Sequence, residues 1–130
     1  MLAKAEAMTV IPAEDVERAA KFYTEKLGLK ALTPVTDEFT IFSAGSGTKI
    51  LMYKRERTKA EHTVLTFIVD DVEAAMKGLI ENGVTPEMYD MPGFESNEFG
   101  VVQVGEMQSG FFKDTEGNVI SVATPPPDMS

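Results

Sequence analysis

The chain has 130 residues, 43% hydrophobic and 25% charged, a composition typical of a globular domain rather than a disordered one. Its net charge of −9 disfavours binding to a phosphate backbone. No apolar run approaches the roughly 20 residues of a membrane span, and the N-terminus has no secretory pattern. The absence of cysteine excludes disulfides and thiolate chemistry. We therefore expect a soluble, cytoplasmic protein that binds neither nucleic acid nor membrane.

The first half of the chain begins with a strand and a helix. The apolar residues 8–11 predict the strand, and residues 16–27 follow with an apolar stripe at three- and four-residue spacing. Asp15 is a residue type that caps helix N-termini, and Gly28 can adopt the left-handed conformation that ends a helix. The pattern therefore predicts a strand, a capped helix and a glycine stop.

The second half repeats this design. Shifting the sequence by 56 positions places Asp15 on Asp71, and residues 16–17 on the identical pair at 72–73. The apolar residues 64–69 precede this second helix, and Gly83 follows it. Such a repeat indicates two copies of one supersecondary unit.

Short strand-like runs follow each helix. They are residues 30–35, 39–42 and 49–53 in the first half, and 85–89, 101–104 continuing towards 112, and 119–123 in the second. Residues 114–118 predict a hairpin turn before the last strand. We expect a single α+β domain of two tandem βαβββ modules that form a cupped mixed β-sheet, with the helices outside. Module one covers about 5–54, a charged linker about 55–61, module two about 62–124, and a proline-rich tail 125–130.

Three segments resemble the signature stretches of the vicinal-oxygen-chelate superfamily, which contains glyoxalases, dioxygenases and bleomycin-resistance proteins. They are DVERAAKFYTEKLGL, VDDVEAAMKGLIENGV and GFFKDTEGNVISV, and the resemblance extends over residues 8–123. It implies paired βαβββ modules and often a homodimer. Members include metal-dependent lyases, isomerases, dioxygenases and thiol transferases, and also metal-free antibiotic-binding proteins.

The resemblance also implies where a metal would bind, because metal-dependent members usually place one His or Glu on each of four strands. The corresponding positions here are Met8, Leu51, Val64 and Ser121. None of these side chains is a good ligand for a hard divalent ion. We therefore expect no metal at the usual site and no cofactor; a divalent metal would require ligands displaced to other positions.

His62 is the chain's one histidine and the candidate catalytic residue. Strand alternation would place it on the same side as Val64, where it could act as a general base or contact a ligand. The alternative is a partly exposed histidine where the linker enters the strand. A displaced metal site could combine it with Glu56, Glu61 or Glu106, although most carboxylates in so acidic a chain are solvated surface.

Aromatic residues suggest an apolar binding surface. Phe111 and Phe112 are consecutive on a predicted strand, so one should face the helices and the other the cavity. The loop 89–100 carries several aromatic side chains, which could cover a ligand or simply pack the loop onto the domain. The predicted ligand-binding residues are Met8, Leu51, Tyr53, Val64, Thr66, Phe94, Phe111 and Ser121.

Three functions remain open from the sequence. The first is metal-independent binding of a small organic molecule in the sheet cavity, in the manner of bleomycin-resistance proteins. The second is a lyase- or dioxygenase-type enzyme with a displaced metal site, or with His62 as its acid or base. The third is a protein-interaction module.

Overall fold

The computed structural model describes residues 2–56 and 61–126. The chain divides into two compact units, Met1–Thr58 and Lys59–Ser130. Residues 57–60 of the predicted linker and residues 127–130 of the predicted tail lie outside the described ranges. Within those ranges, no helix is long and apolar enough to cross a membrane.

Unit one contains one helix on a four-stranded sheet. Its elements are β1 (Thr9–Ala13), α1 (Val16–Lys21), a π-helical turn (Phe22–Lys26), β2 (Lys30–Ala31), β3 (Phe39–Ala44) and β4 (Thr48–Lys54). The strand order is β1-β4-β3-β2. β1 runs parallel to β4, while the other pairs are antiparallel, so the sheet is mixed.

The first helix forms as the sequence predicts, with a change in its last turn. The Asp15 side chain accepts a hydrogen bond from the Arg18 backbone N–H at 3.0 Å, which satisfies a donor that the helix itself leaves unpaired. The helix then widens, and the Leu27 N–H bonds to the Phe22 carbonyl five residues earlier. Gly28, with φ of 77°, ends it.

Unit two repeats this arrangement. Its elements are β5 (Thr63–Ile68), α2 (Val72–Glu81), β6 (Asp90–Met91), β7 (Phe94–Glu95), β8 (Val101–Val104), β9 (Met107–Lys113) and β10 (Val119–Ala123). The order β5-β10-β9-β8 has the same topology as the sheet of unit one, with β5 parallel to β10. Two helices on two four-stranded mixed sheets confirm the predicted α+β fold of tandem βαβββ modules.

Each unit has its own apolar core between helix and sheet. In unit one, Ile11, Ile50 and Met52 are fully buried, and Tyr23 stacks on Phe42 with ring centroids 5.5 Å apart. In unit two, the core is formed by buried side chains of α2, β9 and β10: Val72, Met76, Phe112, Ile120 and Val122. Both helices therefore cover only one face of their sheet.

Two strand predictions are wrong. Only Lys30–Ala31 of residues 30–35 forms a strand, and residues 85–89 contribute just one isolated bridge, between Pro86 and Phe112. Pro34 and Pro86 lack the N–H that a continuous ladder requires. The short β6–β7 hairpin, which turns at Gly93 with φ of 77°, was not predicted.

Candidate functional site

The open face of unit one is the sheet surface opposite α1. Alternation along β4 buries Ile50 and Met52 beneath the helix and turns Leu51 and Tyr53 to the other side. Leu51 lies in register with Val10 on β1 and with Ile41 on β3. The open face therefore carries apolar side chains across three adjacent strands.

These apolar side chains remain accessible. Val10 is 52% exposed, Phe39 44% and Met8, one residue before β1, 41%. A contiguous apolar surface of this kind usually marks a ligand or partner site, whereas single exposed hydrophobic residues do not. The predicted ligand-binding residues Met8, Leu51 and Tyr53 all belong to this open face.

A polar group stands at one end of the open face. Tyr53 is in register with Pro12 and Phe39, and its hydroxyl accepts a hydrogen bond of 3.2 Å from Nη1 of Arg55. This hydrogen bond and the charge interactions with Tyr53 and Glu56 raise the pKa of the Arg55 guanidinium above its usual value. The arrangement therefore provides a permanent positive charge next to a phenol.

In unit two, the sheet face opposite α2 has more polar character and is partly covered, because Ser121 on it is buried. Thr66 on β5 and Ser121 on β10 share a hydrogen bond of 2.7 Å between their hydroxyls. Ser121 is directly opposite Phe111 on β9, while Phe112 is buried on the α2 side opposite Ile120. The prediction that Phe111 and Phe112 point to opposite faces of the sheet therefore agrees with the structure.

Phe111 belongs to a cluster of three aromatic rings. Its centroid lies 5.3 Å from Tyr89 and 6.0 Å from Phe94, and the Tyr89 and Phe94 rings are 5.2 Å apart. Two hydrogen bonds join Ser96 to Tyr89 beside this cluster. The Ser96 hydroxyl accepts from the Tyr89 N–H at 2.8 Å and donates to the Tyr89 carbonyl at 3.1 Å. The rings of residues 89–94 thus pack the β6–β7 hairpin onto the sheet.

A second kind of surface lies beside the same hairpin. It is a hollow of about 540 Å³ lined mainly by polar side chains, with Gly93 and Val101 joining Glu95, Ser96, Asn97, Gln103 and Gln108. Its amide and carboxylate groups differ chemically from the apolar open face of unit one.

The predicted acid–base and displaced-metal residues are all at the surface. His62 is exposed and immediately precedes β5, and Glu56, Glu61 and Glu106 are exposed as well. Residues 2–56 and 61–126 contain no group of three or more His, Cys, Asp or Glu side chains arranged to hold a metal ion. The role of His62 stays a prediction.

The four positions implied for metal ligands do not offer suitable donors. Met8 has a thioether and Leu51 and Val64 have alkyl side chains, while the buried Ser121 hydroxyl is engaged with Thr66. Hard divalent ions prefer carboxylate and imidazole groups. The residues present at these positions therefore do not fit such an ion.

Arg55, Val10 and Phe39 were missed by the sequence analysis. Arg55 falls in the charged stretch interpreted as a linker, although its backbone N–H bonds to the Ala13 carbonyl at 2.9 Å and so extends the pairing of β4 with β1. Strand alternation could have indicated that Arg55 lies on the open face, because residues 51, 53 and 55 share one side of an extended strand.

Two βαβββ units, each a mixed sheet with one covered face, define the structural class of this protein. A sequence model of the Glyoxalase/Bleomycin resistance protein/Dioxygenase superfamily matches residues 7–122. The chain belongs to this superfamily.

Solved structures with the same fold differ widely in sequence. An integron cassette protein from the mobile metagenome of V. Cholerae is 27% identical, with a TM-score of 0.59 and coverage of 97% of this chain and 100% of the other. TnmS3, an antibiotic binding protein from Streptomyces sp. CB03234, is 23% identical, with a TM-score of 0.64 and coverage of 95% and 98%. Lactoylglutathione lyase from Agrobacterium tumefaciens is 18% identical, with a TM-score of 0.66 and coverage of 93% of both chains. No curated protein matches the sequence.

Proposed function

We propose that this protein binds a small organic molecule on the open sheet face of unit one, without a divalent metal. The observation that carries the proposal is the accessible apolar surface formed by Met8, Val10, Phe39, Leu51 and Tyr53. Burying apolar area contributes roughly 25 cal/mol per Å², so a flat hydrophobic ligand would gain affinity from contact alone. The similarity to a protein described as antibiotic binding supports the same class of function.

Metal independence is part of this proposal and rests on the chemistry of four side chains. Met8, Leu51, Val64 and Ser121 replace the His and Glu residues that metal-dependent members usually carry. Electrophilic catalysis by a divalent ion needs converging donor groups that leave a coordination position free. Binding and sequestration of a ligand need neither the converging donor groups nor the free coordination position.

The test is the metal content of untagged protein, measured by elemental mass spectrometry after incubation with nickel, zinc, manganese or iron(II) and desalting. We expect far less than one ion per chain for each metal. A thermal-shift screen of planar apolar compounds on the same sample should give stabilising ligands. Stoichiometric metal together with metal-dependent turnover would overturn the proposal in favour of a lyase or dioxygenase.

We further propose that the protein is a cytoplasmic homodimer. The superfamily resemblance implies the dimer, and the chain's lack of cysteine is compatible with a reducing compartment. Unit two has large exposed apolar side chains, Met88, Met91 and Val104, that a partner subunit could cover. Light scattering coupled to gel filtration should give twice the chain mass of 14.2 kDa, and a monomer mass would refute the dimer.

A further inference from the structure

The Arg55 guanidinium lacks a carboxylate partner within the described residues, although the chain has 21 acidic side chains. Its hydrogen bond goes to the phenol oxygen of Tyr53. By contrast, Lys113 and Glu87 form an ordinary surface pair with a 3.5 Å separation. Glu56, the adjacent residue, acts on Arg55 through its charge but forms no ion pair with it. The guanidinium N–H groups that do not bind Tyr53 can therefore bind an anion.

Arg55 and Tyr53 together present complementary donors. The guanidinium has five N–H groups in a planar fork, which matches the geometry of a carboxylate. The Tyr53 oxygen accepts from Arg55, so its own proton remains available to a ligand. Both groups stand where the apolar open face ends, beside Pro12 and Phe39.

We propose that the ligand of unit one is an apolar organic anion. Its hydrophobic body would lie on Val10, Leu51 and Phe39, and its carboxylate or sulfonate would bind Arg55 and the Tyr53 hydroxyl. This inference rests on the proposed function and names its ligand class. Because the net charge of −9 repels anions from most of the surface, a local cation is what makes this class of ligand acceptable.

The test compares 2-naphthoate with 2-naphthamide, which have the same ring system and differ in charge, by isothermal titration calorimetry with the full chain. We expect naphthoate to bind about three- to tenfold more tightly, as for a solvent-exposed charge-assisted hydrogen bond. Arg55→Met should remove the preference for naphthoate over naphthamide. Arg55→Lys should retain part of the preference, because it keeps the charge and loses the planar fork.

Lys54→Met is the matched control. Lys54 is the last residue of β4 and directly precedes Arg55, and its side chain lies on the α1 side of the sheet near Asp15 and Asp37. The substitution changes net charge by the same amount as Arg55→Met and should leave the naphthoate preference intact. An equal loss in both variants would assign the preference to overall charge and overturn the inference.

The remaining outcomes separate this inference from the proposed function. Equal binding of naphthoate and naphthamide to the unmodified protein would refute the anion preference and leave an apolar binding face in place. Binding of neither compound would refute both.

Discussion

Gly110 illustrates how one residue limits the packing of unit two. It lies on β9 facing α2, and a Cβ atom built there would be 2.5 Å from both Cγ and Sδ of Met76. We predict that Gly110→Ala lowers the free energy of unfolding by about 1–3 kcal/mol, because the tightly packed core must shift to admit a methyl group. Urea denaturation followed by circular dichroism measures this.

Gly78 provides the matched control for that substitution. It lies within α2, and a Cβ atom there would have no neighbour within 4 Å. Gly78→Ala should raise the free energy of unfolding by about 0.5–1 kcal/mol, because alanine loses less conformational entropy in a helix. If both alanine variants changed stability in the same direction, close contact with Met76 would not explain the effect at Gly110.

The role of Phe94 separates packing from ligand binding. Its ring contacts Tyr89 and Phe111, all within unit two. We predict that Phe94→Ala lowers the free energy of unfolding by about 1–2 kcal/mol through lost aromatic contacts. Naphthoate affinity, measured by calorimetry, should be unchanged because that ligand is assigned to unit one. A large loss of affinity in a folded variant would place Phe94 in the binding site.

At the scale of elements, the helix caps are the most direct link between sequence and structure. Asp15 and Asp71 each accept a hydrogen bond of 3.0 Å from the backbone N–H three residues later. Each aspartate-to-alanine substitution should reduce the free energy of unfolding by about 0.5–2 kcal/mol. Asparagine at the same positions should retain most of the stability, and an equal loss with asparagine would argue against capping.

Elements with local signals could be predicted from the sequence, and elements set by tertiary contacts could not. The caps, apolar stripes and glycine stops define both helices. Alternation fits β4, and the turn at residues 114–118 precedes the apolar run of β10. Residues 32–35 and 85–89 have apolar or β-branched side chains, but their prolines interrupt backbone pairing. The β6–β7 hairpin has strands of only two residues each. The Phe94 ring of this hairpin packs against Phe111, which is a tertiary contact.

The same distinction applies to the candidate site. Alternation places Leu51 and Tyr53 on one face, and this could be read from the sequence. The position of the Arg55 side chain depends on its contact with Tyr53 at the end of β4. Arg55 lies in a run of charged residues, and such a run is typical of a linker. Charge and spacing alone do not distinguish a solvated arginine from one held against a phenol.

For the whole molecule, net charge should influence stability. With 21 acidic and 12 basic residues the folded state carries like charges at close range, and this self-repulsion opposes compaction. Raising NaCl from about 0.01 M to about 0.15 M shortens the Debye length from about 30 Å to about 8 Å and weakens that repulsion. We predict a rise of a few degrees in the thermal unfolding midpoint, measured by differential scanning calorimetry.

KCl should give the same rise, since screening depends on ionic strength rather than on the identity of the cation. A midpoint that falls with added salt would mean that attractive ion pairs outweigh the repulsion. Lys113 and Glu87, a partly exposed pair 3.5 Å apart, would then be the first pair to replace.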